Sequence, residues 1–196
     1  MKCRHAIESE LDMACDILAE GFYNEPLHKI IFPDDEKRLN KLKFFFRIYL
    51  DLASKRGGTL LSENNTGAMV YFRPGSMEMT ENERSAFDRV LRNVCGSDYA
   101  TAKRLNNELE NYHPQARQHY YISLLAVRRS SRGSDVVKNL FSALNDILDG
   151  SGYPCYAECT RFSTRTLIKR WGYVDAAPPM RIDGFPELYP VWREPQ

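Results

Sequence analysis

The 196-residue sequence lacks a large net charge of either sign, a long apolar run and any close-set cysteine motif, and each absence removes a class of function. Lys and Arg together number 27 against 26 Asp and Glu, a net charge of +1. No global field therefore steers the chain toward nucleic acid or an anionic membrane surface. No stretch approaches the ~20 consecutive apolar residues that a membrane-spanning helix needs. The first residues (Met1, Lys2, Cys3, Arg4, His5) carry no apolar leader segment, so a cytoplasmic location is the expectation. Five cysteines are present, at 3, 15, 95, 155 and 159, an odd and scattered set with no C-x-x-C pair. That pattern reads as reduced, buried thiols, with no bound metal and no disulfide framework.

What is present is ordinary globular material, 43% hydrophobic and 27% charged, in one chain. A chain of this size hides roughly 70% of its unfolded surface, enough for a core without staples. The expectation is a single domain over residues 1–196, with a helical insertion at about 77–113.

The order of elements follows from periodicity. A short strand at 2–7 precedes a helix opened by Ser9, with Leu11, Ala14, Leu18 and Phe22 on one face. Pro26 breaks it and starts a second short helical piece ending near Phe32 and Pro33. Asp34 and Asp35 can cap a long helix to about Ser54, stopped by Gly57 and Gly58. Strands at 59–63 and 68–74 flank Asn64, Asn65, Thr66 and Gly67, a hairpin signal because Asn and Gly accept positive φ. Thr80 and Glu83 form a capping box for the first inserted helix, and a second lies near 99–110.

The second half reads as an aromatic strand at 118–127, a helix from about 134 to 149, a strand at 153–159, a short helix at 163–171 and a strand at 172–175. Two further short strands are expected near 180–183 and 190–194. The closing segment between Met180 and Trp192 offers a sheet edge for pairing two copies, so a homodimer is an open expectation.

The turn from Val127 through Arg128, Arg129, Ser130, Ser131, Arg132, Gly133 and Ser134 leaves a buried strand and opens a helix. Free N–H groups and the helix dipole there suit a pyrophosphate, Gly133 permits close approach, and three arginines add countercharge. A solvated basic turn entering a helix would look the same.

At these residues the sequence resembles the acetyl-CoA-binding core of the GCN5-related N-acetyltransferases (GNAT). The shared elements run the length of the chain: Phe22, Pro26, Leu27 and Phe32-Pro33-Asp34; His119-Tyr120-Tyr121; Arg132-Gly133; Gly152-Tyr153-Pro154, Tyr156 and Glu158; and Trp171-Gly172-Tyr173. The resemblance implies an α/β GNAT fold, a mixed, twisted central sheet with splayed strands flanked by helices. It implies acyl-CoA as cosubstrate, with pantetheine paired to the backbone of Leu125, Ala126 and Val127. The pyrophosphate would then sit over Arg132, Gly133, Ser134, Asp135, Val136 and Val137, with Thr164 nearby. A backbone N–H near Leu125 would polarise the acyl carbonyl.

The sequence departs from the pattern at four places. Asp135 stands where Gly is expected and Val137 where Gly or Ala is. Ile168 replaces the tyrosine that protonates the leaving thiolate, and Thr164 replaces an asparagine. Thiols ionise at about pH 8.5, so departure does not strictly need that acid.

Glu158, His119 and His28 are the candidate bases. Glu158 could alternatively be an ion-pair partner of Arg161 or Arg165. His28 borders the expected acceptor cleft, while Tyr23, Tyr71 and Tyr120 read as pocket lining or core, and Cys159 as a remote nucleophile candidate. The function implied is acyl transfer from acetyl-CoA to an amine of a small molecule or peptide. The competing readings are an acyl-CoA-binding protein with little turnover and a GNAT-fold interaction domain.

Overall fold

The computed structural model describes residues 2–196. Strand β1 (Cys3–His5) leads through a short 3-10 turn (Glu8–Glu10) into α1 (Leu11–Phe22). Ser9 is not the cap expected there. The Glu10 carboxylate instead reaches back to the Ile7 N–H at 3.1 Å, and Arg4 holds that carboxylate in place. Helix α2 (Pro26–Ile31) has Pro26 in its first turn, where a missing N–H costs nothing. Helix α3 (Asp35–Arg56) is capped by Asp34, whose Oδ1 accepts from the N–H groups of Glu36 and Lys37.

Helix α3 runs directly into β2 (Gly57–Ser62), so the two glycines open a strand as well as end a helix. A Cβ on Gly57 would lie 1.8 Å from the Tyr71 carbonyl oxygen, which restricts the position to glycine. The hairpin to β3 (Gly67–Phe72) forms as expected. Asn65 takes φ 55°, and the Ser62 Oγ accepts from the N–H groups of Thr66 and Gly67. Helices α4 (Glu81–Cys95) and α5 (Tyr99–Tyr112) follow, the first carrying the Thr80–Glu83 capping box.

The remaining elements are β4 (Tyr120–Val127), α6 (Val136–Ser151), β5 (Cys155–Cys159), α7 (Phe162–Ile168), β6 (Val174–Asp175) and β7 (Tyr189–Arg193). Gly152 ends α6 in the left-handed region, its N–H bonded to the Leu148 carbonyl. The expected strand at 180–183 is only an isolated bridge between Met180 and Leu188.

The seven strands lie in the order β1-β2-β3-β4-β5-β7-β6. All neighbours are antiparallel except β4 and β5, which are parallel and joined through α6. Strand β7 is therefore an interior strand, paired with β5 and β6, and not the edge anticipated for a second copy. The two-residue β6 occupies that edge, and such a short strand offers little template for pairing.

Two apolar layers sandwich the sheet. Helices α1–α5 cover one face with a core that includes Leu18, Phe32, Phe46, Val70 and Phe72. Helix α6 covers the other over Met69, Ile122, Leu140, Leu144 and Ala157. Phe32, Phe46 and Phe72 are wholly buried, and truncating any one to Ala should cost about 3–5 kcal/mol.

One irregularity sets up the site. In the β3–β4 ladder Val70 pairs with Leu124 but the next residue, Tyr71, pairs with Ile122, leaving Ser123 as an extra residue on β4. A bulge of this kind shifts the alternation by one. Ile122 faces the α6 layer, whereas Leu124 and Ala126 face the α1–α3 layer.

Candidate active site

Strands β4 and β5 pair only from Tyr120 opposite Cys155 to Ile122 opposite Ala157. Beyond the bulge at Ser123 the two diverge. The edge of residues 123–127 turned away from β3 then has no strand partner, and neither do Glu158 and Cys159 on their β4 side. Unpaired backbone at the centre of a sheet needs another partner. The opening leads into a cleft of about 790 Å³, lined by Leu124, Leu125, Ala126, Val127, Arg132, Val137, Glu158 and Thr164 among others. This volume lies within the range of small-molecule sites.

At one end of the cleft stands the arginine-rich turn. Helix α6 begins at Val136, two residues later than the spacing suggests, because Ser134 is tied to the preceding turn through its Oγ and the Ser131 carbonyl at 2.6 Å. Gly133 takes φ 82°, and nothing among the described residues lies within 4 Å of the Cβ it lacks. That open space is what close approach by an anion requires. Asp135 is exposed and makes no side-chain cap bond, so its carboxylate is free to turn to solvent. Arg128 is engaged by Glu20, while Arg132 lines the cleft.

At the other end, Tyr121, Tyr156 and Glu158 project from the helical face of β4 and β5. Neither arginine considered for Glu158 reaches it: Arg161 pairs with Glu25 and Arg165 with Asp175. Glu158 Oε1 is buried without a hydrogen-bond partner among the described residues. Burial pushes its carboxyl up to about 7, and the Tyr121 and Tyr156 hydroxyls offset only part of that rise. Desolvation, with the neighbouring carboxylate adding to it, holds both phenols protonated.

His119 does not line the cleft. Its Nδ1–H donates to the Arg117 carbonyl at 2.7 Å, and its Nε2 meets the Nε2 of His113 at 3.0 Å. The ring that reaches the cleft is that of His113, stacked edge-on to Tyr121 and Tyr156. Burial lowers His113 to about 4, so both rings are neutral near pH 7. His28 does line the cleft, but among Phe22, Phe45 and Phe46 its burial pushes it down to about 3. A base so weak is poorly matched to removing a proton at neutral pH.

Tyr23, Tyr71 and Tyr120 are not pocket tyrosines. Tyr23 bonds the Asp35 carbonyl, and Tyr71 bonds His5 in the α6-side layer with Tyr120. Tyr49 and Tyr121 line the cleft in their place. Cys159 is buried and pushed up to about 12 by desolvation, which removes thiolate character.

Glu25 is the residue the sequence reading missed. It lies 8% exposed at the corner between α1 and α2, accepting from Arg161 Nε at 2.8 Å and Thr160 Oγ1 at 3.0 Å. Its place in Asn24-Glu25-Pro26-Leu27, at a helix break facing the cleft, was the available signal.

In sequence the chain matches no family model and no curated protein. In structure it is similar to a Corynebacterium glutamicum protein described as histone acetyltransferase HPA2 and related acetyltransferase. The TM-score is 0.69 at 19% identity, over 100% of this chain and 96% of that one. Arylalkylamine N-acetyltransferase 2 of Aedes aegypti matches with TM-score 0.60 at 12% identity, over 100% and 99% of the two chains. The polyamine N-acetyltransferase of Drosophila melanogaster matches with TM-score 0.59 at 15% identity, over 98% of each. The chain has the GNAT fold. Among the described residues no helix is long and apolar enough to cross a membrane.

Proposed function

We propose that this protein is an N-acyltransferase that moves an acetyl group from acetyl-CoA to the amine of a small molecule or peptide by direct attack. The observation that carries the reading is the parting of β4 from β5 after Ile122 and Ala157, with an unpaired carboxylate, Glu158, facing the gap. The unpaired β4 backbone at Leu125, Ala126 and Val127 fits the amides of pantetheine. The open turn at Arg132 and Gly133 and the start of α6 fit the pyrophosphate. An N–H near Leu125 polarises the thioester carbonyl.

The reaction is then balanced simply. The amine nitrogen forms a bond to the acyl carbon, the carbon–sulfur bond breaks, the amine proton passes to Glu158, and the CoA thiolate leaves. A carboxyl at about 7 is half ionised near neutral pH, which suits a general base. Ile168 is buried and lines the cleft where the family carries an acidic phenol, so the thiolate departs unassisted.

A second reading gives the proton to Glu25, a buried carboxylate that also lines the cleft. The two are separated by the pH–rate profiles of Glu158→Gln and Glu25→Gln. If Glu158 is the base, its variant alone loses the rise in rate through about pH 7. Loss of that rise only in Glu25→Gln assigns the base to Glu25. The competing class, a binding protein with little turnover, rests on Asp135, Val137 and Ile168. Acetyl-CoA binding by calorimetry without thiol release from any amine would establish it.

A further inference from the structure

The half of the cleft away from the arginine turn is an aromatic chamber. Phe22, Phe45, Tyr49, Phe72 and Phe87 wall it, with the Phe45 and Tyr49 rings 5.3 Å apart and Tyr49 and Phe87 6.0 Å apart. Helix α5 closes it, presenting Asn106. The Tyr49 hydroxyl donates to Asn106 Oδ1 at 3.0 Å. Asn106 Nδ2 is then buried with no acceptor among the described residues. A bare N–H donor inside an apolar wall is costly in the empty protein and is satisfied when a ligand brings an oxygen to it.

The charges around the chamber are already committed to one another. Glu25 is held by Arg161, Glu110 by Arg84 at 2.5 Å, and Lys103 by Asp88 at 2.8 Å. Glu78 is exposed at the rim, leaving Glu158 as the unpaired carboxylate within. A second ammonium on the acceptor would find aromatic walls and spent carboxylates, and burying it there is expensive.

Building on the acyl-transfer reading, we infer that the acceptor is a monoamine on an apolar, ring-sized body bearing a neutral oxygen, which Asn106 Nδ2 recognises while the amine faces Glu158. Asn106 is thus a specificity-determining residue, and polyamines and lysine-rich peptides are poor acceptors.

The test measures kcat/KM with acetyl-CoA for 4-hydroxyphenethylamine, phenethylamine and spermidine, in the wild type and in Asn106→Leu. The hydroxylated amine should exceed spermidine by about tenfold or more in the wild type, and the variant should lose about tenfold on it. Unsubstituted phenethylamine should change less than about threefold in the variant, which a merely structural role for Asn106 would not allow. Preference for spermidine in the wild type overturns the inference while leaving acyl transfer standing, and needs no variant to fold. Equal loss on both aryl amines also overturns it. Acetyl-CoA binding without acylation of any of the three, or of a wider amine panel, overturns acyl transfer itself.

Discussion

Glu25 and Arg161 join the two arms of the open sheet on its helical side, the carboxylate receiving Nε at 2.8 and 2.9 Å. Glu25 follows α1, which packs against β4, and Arg161 follows β5. The pair therefore spans the divergence that creates the cleft, with Thr160 bonded to the same carboxylate.

Breaking that link should loosen substrate binding more than chemistry. Arg161→Ala is expected to raise KM several-fold with a smaller change in kcat. A double-mutant cycle with Glu25→Gln should return a coupling of about 1 kcal/mol, in line with a half-exposed ion pair. Additive effects on KM would show that the two residues do not act together.

Asp135 marks the arginine turn as imperfect for an anion. Asp135→Asn should tighten CoA binding about two- to fivefold at low ionic strength, and the gain should shrink as salt screens the carboxylate. Calorimetry at two salt concentrations checks both halves of this expectation. An affinity unchanged at low salt would place the phosphates elsewhere.

Glu158 also makes a stability prediction with a definite sign. Its carboxyl is raised to about 7 in the folded protein from its ordinary value of 4.5, so the native state binds more protons than the unfolded chain between those values. Stability is lost as pH rises through that window. Glu158→Gln removes the loss, and should be stabilising by roughly 3 kcal/mol at about pH 8 yet close to neutral at about pH 4. Denaturant unfolding at the two pH values measures it. Equal effects at both would mean the carboxyl is not raised by burial.

Gly21 lets α1 approach β4 at the level of the cleft. A Cβ there would stand 2.5 Å from the Ala126 Cβ, and Ala126 carries part of the unpaired edge. Gly21→Val should cost about 1–3 kcal/mol through overpacking and weaken acyl-CoA binding by displacing β4. Normal binding in a destabilised variant would separate the helix contact from the cleft.

The fold was legible because its signals are local. Periodicity located α3, the Asn65 turn located the β2–β3 hairpin, and the strand–helix–strand order of 118–159 located the parallel pair. At the candidate site the sequence pointed to geometry only where a residue's identity implies it, as for Gly133, whose φ is 82°. The Ser123 bulge left no mark, since a register shift is decided by strand pairing across the sheet. His119 was misplaced and Glu25 missed for a related reason. One ring is turned away by the Arg117 carbonyl, and the other carboxylate reaches the cleft only through contacts about 135 residues distant in sequence.

The most direct test of acyl transfer is detection of both products from one mixture of the protein, acetyl-CoA and a panel of primary amines. Acyl transfer predicts free CoA thiol and N-acetylated amine in equal amounts by mass spectrometry, and a loss of about a hundredfold in initial rate for Glu158→Gln. Binding of acetyl-CoA with neither product formed across the panel would contradict it.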